Sequence, residues 1–326
     1  MGPSTTGTRG LLRSRASAMA VVFALVAGTV VAASIRNAPS AEAGVDPYTC
    51  WVVADSGGAT SSDHLIQVDR DGSPAPVNIG DLGTGTTEAA VYHAASNTLY
   101  AVHERVTGPS GTATWGTINQ STGAFTAIGD VGSGTGYLMD GDTVLDTVNF
   151  HDLDGLAYDQ SNDIMWASVR REDSGEVGPD LLIQLDRTTG AVVPDAFGPN
   201  IDFVSITAFD TGTTLIDDID DFAIDPVTGD MWAVINGAGA NVRYMQIEIS
   251  GGTATLFDRG PIGINDIEGM TIDAFGQVWG VRGRTTYNLI RIDRISGAGA
   301  VEFAIPISGD HESIACLTQT SIPITG

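Results

Sequence analysis

One eight-residue pattern recurs along the chain, and recurrence at a fixed period constrains a fold more than any local signal. Asp152-Leu-Asp-Gly-Leu-Ala-Tyr-Asp159, Asp218-Ile-Asp-Asp-Phe-Ala-Ile-Asp225 and Asp266-Ile-Glu-Gly-Met-Thr-Ile-Asp273 align without gaps, and Thr86-Thr-Glu-Ala-Ala-Val-Tyr-His93 follows more loosely. Each segment leads through a turn signal, such as Pro226-Val-Thr-Gly229, into an apolar run centred on an aromatic residue. Tyr100, Trp166, Trp232 and Trp279 lie 12, 12, 12 and 11 residues beyond Glu88, Asp154, Asp220 and Glu268. A third run (Trp115–Asn119, Leu182–Asp186, Tyr244–Glu248, Leu289–Asp293) ends in Ser/Thr-Gly turns, and a fourth short run closes each unit.

The runs are short, rich in Val, Ile, Trp and Tyr, and bounded by Gly, Asp, Asn and Ser, which is strand and turn chemistry. Four such strands in each repeat of this length make a propeller blade. The fifth unit is split between the chain ends. Asp310-His-Glu-Ser-Ile-Ala-Cys-Leu317 matches a first strand, Cys50–Val53 a second and Leu65–Asp69 a third. The expected fold is therefore all-β: a five-bladed β-propeller of four-stranded antiparallel blades, its ring closed by pairing of the N- and C-terminal strands. Residues 132–150 and 199–216 stand outside the repeat and leave room for a sixth blade. The register of the fourth unit, where Ile224 faces Met231, makes Cys50 and Cys316 cross-strand neighbours, and in an exported protein this predicts a disulfide.

Export is written at the N-terminus. Arg9, Arg13 and Arg15 precede an apolar run over 18–33, too short for a membrane span, and Ala41-Glu-Ala43 fits a small-x-small cleavage site. Residues 1–43 read as a secretory signal, 44–320 as one propeller domain and 321–326 as a tail. The exported part carries eleven arginines, no lysine and 39 acids, a net charge of −28. That balance excludes nucleic acid and anionic membrane surfaces as partners. The missing lysine excludes a Schiff base, a lysine general base and a phosphate-loop lysine. No Gly-x-Ser-x-Gly, His-Glu-x-x-His or Cys-x-x-Cys is present. The chain reads as a monomer.

The repeat places an acid at one register in every unit: Glu88, Asp154, Asp220, Glu268 and Glu312. These five would surround the mouth of the central channel. Two carboxylates about 5 Å apart repel by roughly 3 kcal/mol at an effective dielectric of 20. The ring must therefore hold a cation, hold protons, or turn its side chains onto backbone N–H groups. Calcium is the cation that hard oxygen donors outside the cell would take. The same face carries the loops between second and third strands, which offer Asp55, His64, Glu104, Arg105, Arg170, Arg171, Asn236, Arg282 and Arg284 as ligand-binding candidates. The large aromatic of each second strand is read as packing between blades, not as a sugar platform.

The Asp-x-Asp/Glu-Gly-apolar-Ala-apolar-Asp element followed by Met-Trp-Ala resembles the repeats of secreted bacterial β-propellers of the WD40-like and quinoprotein-like type, many of them in surface proteins without assigned activity. The resemblance spans nearly all of 48–318 and implies fold more than function. It implies a binding module for a surface protein or glycan. The alternative is a calcium-dependent hydrolase of the propeller lactonase, esterase or phytase type using the channel carboxylates. Ile322-Pro-Ile-Thr-Gly326 resembles the Leu-Pro-x-Thr-Gly signal by which sortases attach proteins to bacterial walls, which implies anchoring to the cell wall.

Overall fold

Twenty-two strands and a single 3-10 turn make up the computed structural model. It describes residues 48–55, 62–104, 111–140, 142–171, 178–208, 218–237, 241–250, 252–284 and 286–317. The export signal, the wall-anchoring tail and Arg105 lie outside the described residues. Among the described residues no helix is long and apolar enough to cross a membrane.

Five antiparallel units of four strands account for twenty of the strands. β4 (Thr87–His93), β5 (Thr98–His103), β6 (Thr114–Ile118) and β7 (Phe125–Asp130) form the first. β10 (Gly155–Asp159), β11 (Ile164–Val169), β12 (Leu181–Leu185) and β13 (Phe203–Ala208) form the second, and β14 (Ile219–Ile224), β15 (Met231–Gly237), β16 (Asn241–Ser250) and β17 (Thr253–Pro261) the third. β18 (Ile267–Ile272), β19 (Val278–Arg282), β20 (Asn288–Ile292) and β21 (Gly299–Ala304) form the fourth. In the fifth, β22 (Asp310–Cys316) from the C-terminal end pairs with β1 (Thr49–Asp55), followed by β2 (His64–Asp69) and β3 (Val77–Asp81). The first strands β4, β10, β14, β18 and β22 touch one another in a closed cycle.

The core is not central but divided among the seams. Five separate clusters of buried apolar side chains each join two adjacent units, and the fifth returns to the first. This is the physical meaning of the repeat: one sheet cannot bury both faces alone, so each needs two neighbours. Inner strands such as β14 and β18 are buried at every position, whereas the outermost β7 and β21 alternate exposed polar and half-buried residues. The second-strand aromatics Trp51, Tyr100, Trp166, Trp232 and Trp279 are all buried in the seams, as expected for packing.

The two segments outside the repeat resolve differently. Residues 132–150 form a hairpin, β8 (Ser133–Asp140) with β9 (Asp142–Asn149), laid in parallel against β13. The segment 199–216 supplies β13, the fourth strand of its unit. Among the described residues there is no sixth four-stranded unit. Cys50 and Cys316 form a disulfide across 266 positions, at the register the repeat demanded, just as Ile224 pairs with Met231.

Turn chemistry repeats with the strands. Asp159, Asp225 and Asp273 accept the backbone N–H two residues on, at 2.9, 2.7 and 2.8 Å, and His93 caps the equivalent turn through Ser96. After third strands, Asn119, Asp186 and Asp293 do the same, and each turn ends in a left-handed glycine. At Gly190 the backbone lies against Trp115 of the preceding unit so closely that a Cβ would sit 2.2 Å from the Trp115 side chain. Handedness and clearance both demand glycine there.

Candidate functional site

Each inner strand begins with a register slip. Pairing with the second strand passes from Thr87 to Ala89, from Ile219 to Asp221, from Ile267 to Gly269 and from His311 to Ser313. The residue skipped is Glu88, Asp220, Glu268 or Glu312. A bulge frees one residue from the ladder and re-aims its side chain, and here it turns the acid toward the centre of the ring. Asp154, one residue before β10, completes the set. All five line one cavity of about 250 Å³.

Among the described residues the cavity is walled by nine carboxylates and two arginines: Asp55, Glu88, Glu104, Asp152, Asp154, Asp220, Glu268, Asp310, Glu312, Arg170 and Arg284. Burial and mutual repulsion decide their charge. Burial, reinforced by Asp152, Asp63 and Asp55, pushes the Glu88 carboxyl up to about 7. Burial raises Glu268 to about 6 against the pull of Arg284, and raises Asp154, Asp220 and Glu312 well above the usual carboxylate range. Two carboxyl–carboxyl hydrogen bonds form, Glu88 with Glu312 and Asp220 with Glu268. Without a cation, protons shared between acids keep the ring together.

Asp220 also accepts the Asn236 N–H at 2.8 Å, and the Asn236 amide donates to the Ile267 carbonyl at 3.2 Å. Asn236 thus positions a wall residue and does not line the cavity. Of the other rim candidates, Asp55, Glu104, Arg170 and Arg284 reach the cavity. His64 is paired with Asp81 at 2.7 Å, Arg282 donates to Asn265 at 2.5 Å, and Arg171 is buried against Gly178. These three are not among the lining residues.

Two lining residues went unread in the sequence, Asp152 and Asp310, although their signal was present. Four units carry a second acid two places before the ring acid: Asp152, Asp218, Asp266 and Asp310. Asp218 meets Arg170 at 3.1 Å, Asp266 accepts the Arg284 N–H at 2.9 Å, and Asp310 accepts from the Arg284 guanidinium at 3.0 Å. Asp152 differs: it is only 6 % exposed and its Oδ2 has no hydrogen-bond partner.

One residue beyond each ring acid stand Ala89, Gly155, Asp221, Gly269 and Ser313. Four are small, and the fifth fills the space they leave. Asp221 is 1 % exposed and accepts the N–H groups of Met270 and Phe222 at 2.8 Å each, a further bond from Leu156, and the Ser313 hydroxyl at 3.4 Å. Ser313 Oγ in turn accepts the Ala90 N–H at 3.0 Å. The channel is thus occupied directly beneath the acids by a network touching all five inner strands. The site is a cup with a floor.

No known protein family matches the chain, and no curated protein does. Among solved structures, a chain of a nidogen/laminin complex aligns at 13 % identity over 83 % of this chain and 100 % of its own, with a TM-score of 0.47. TolB from Acinetobacter baumannii aligns at 14 % identity over 78 % of this chain and 52 % of its own, TM-score 0.43. A candidate 6-phosphogluconolactonase from Bacteroides uniformis aligns at 11 % identity over 82 % and 98 %, TM-score 0.42. These similarities place the chain in no family and lend it no activity. The all-β ring stands on its own sheets and seams.

Proposed function

We propose that the protein is an exported ligand-binding propeller of the cell surface whose recognition site is the acid-lined cup, and that the cup takes positive charge: a hard divalent cation such as calcium, or an ammonium group presented by a surface protein or glycan. The observation that carries this reading is nine carboxylates against two arginines around about 250 Å³ above a closed floor. A low-dielectric wall of one sign concentrates counter-charge, and a floored cup suits capture more than passage. The disulfide supports an oxidising compartment outside the cell.

The hydrolase alternative draws on Glu88, whose carboxyl titrates near neutrality beside other acids, as a general acid requires. Calorimetric titration separates the readings when run with calcium, with spermidine and with citrate as an anionic control. Saturable binding of calcium or spermidine, weakened by salt, with none of citrate, is expected. Binding of neither cation would overturn the proposal. Turnover in a screen of esters, lactones and glycosides would move the assignment to the alternative.

A further inference from the structure

We propose that Glu104, Asp152 and Asp154 form a calcium-type cation site set into the wall of the cup, off the axis of the ring. It deepens the reading of the cup as a receptor for positive charge and rests on that reading.

The ring of five does not converge on one point. Four of its members are engaged in two pairs, Glu88 with Glu312 and Asp220 with Glu268. Asp154 is the member left over. It stands with Asp152, two residues before it, and with Glu104 at the end of β5 in the neighbouring unit, and one oxygen from each lies within 4.8 Å of the others. Calcium binds oxygens at 2.3–2.6 Å, so two ligands on opposite sides of one ion are at most about 5 Å apart, and magnesium would hold them near 4 Å. The spread therefore fits one calcium ion without rearrangement. All three donors are hard oxygens, and no histidine or cysteine lines the cavity.

A cluster of acids alone would say little; Asp152 adds an independent fact. Its equivalents Asp218, Asp266 and Asp310 are each held by an arginine side chain or a backbone N–H. Asp152 is as buried as any of them, lines the cavity, and has an Oδ2 that nothing in the fold satisfies. A buried carboxylate oxygen without a donor is costly unless a cation supplies what the protein does not. Arg170, 3.6 Å from Asp154 and 3.1 Å from Asp218, is the cation beside the cluster. It offsets one of the three negative charges and leaves a balance suited to a divalent ion.

The test uses the purified protein, its Asp152→Asn variant and its Glu312→Gln variant. Calcium is titrated calorimetrically at pH 7.5, and melts are recorded in EGTA and in calcium. The wild type binds one calcium, Asp152→Asn loses roughly 100-fold in affinity or more, and Glu312→Gln stays within about threefold. In EGTA, Asp152→Asn melts at or above the wild type, because a repelling buried charge is gone; in calcium it melts below. A purely structural carboxylate would lower the melt in both buffers and would overturn the proposal. Wild-type affinity in Asp152→Asn, or loss confined to Glu312→Gln, would overturn it too while leaving the cup reading intact. A wild type that binds spermidine but not calcium removes this site alone; one that binds neither removes both.

Discussion

Asp221 carries more of the fold than any other single side chain in the ring. Its carboxyl collects N–H groups from β10, β14 and β18 and the hydroxyl of Ser313, which itself receives the Ala90 N–H from β4. Complete burial raises its own proton affinity, and the amides around it oppose that rise. Replacing Asp221 with Ala leaves several buried donors without an acceptor, each worth about 1–3 kcal/mol. Asp221→Ala should lose about 3–5 kcal/mol in urea denaturation, by analogy with breaking a buried polar network, and Asp221→Asn markedly less. An Ala variant as stable as the wild type would mean the network does not tie the strands. This role was invisible in the sequence, where Asp221 is one acid beside another. Only the bulge, which sends Asp220 into the cup and leaves Asp221 below it, separates the two.

At the scale of elements, three Asp-Arg pairs at the ends of third strands do the same task. Arg70, Arg187 and Arg294 each reach back to the preceding unit. Arg70 meets Asp273 and lies 5.8 Å over the Trp279 ring, Arg294 meets Asp225 and lies 5.7 Å over Trp232, and Arg187 approaches the Tyr100 hydroxyl and Asp163. The other two seams substitute aromatic pairs, Trp51 on Tyr92 and Trp166 on Phe197. Arg70 and Asp273 are both buried, so Arg70→Ala should cost about 3–5 kcal/mol by stranding a charge. Arg291→Ala breaks a pair of which Arg291 is half exposed and should stay within about 1 kcal/mol. Comparable losses in the two variants, by denaturant titration, would contradict the clamp. The repeat register was legible because acid, aromatic and Gly turn recur together: the five ring acids, the strand-closing disulfide and the packing aromatics all follow from it. The rim was not. Arg170 enters the cup while Arg171 is buried beside it, and Arg284 lines the cavity while Arg282 binds Asn265. Which of two neighbouring arginines turns inward depends on loop conformation, which no repeat encodes.

For the whole molecule, the acid excess becomes a pH dependence. Glu88, Glu268 and Asp63 have carboxyls raised to about 7, 6 and 6, for Glu88 by burial and by Asp152, Asp63 and Asp55. The folded state therefore holds protons that the unfolded chain releases near pH 4, so stability falls as pH rises through the interval from about 4.5 to 7. His311, lowered to about 4 by burial, acts in the opposite direction between about 4 and 6.5 and is outnumbered. Below this range, Asp159, Asp186 and Asp293, held down chiefly by their turn N–H and hydroxyl partners, reverse the trend. Melts in EGTA should peak near pH 5 and decline toward neutrality; a profile rising steadily to pH 8 would contradict the proton-sharing ring.

The account as a whole rests on the cup being a receptor for positive charge that the folded chain alone satisfies poorly at neutral pH. The most direct measurement is the melting temperature of the purified protein at pH 7.5 in EGTA and in millimolar calcium. Saturation at 100 times the dissociation constant adds about 2.7 kcal/mol. For a chain of this size that should raise the melt by roughly 5–10 °C. The gain should shrink at pH 5, where protons occupy the carboxylates. An unchanged melting temperature in calcium at pH 7.5 would contradict the account.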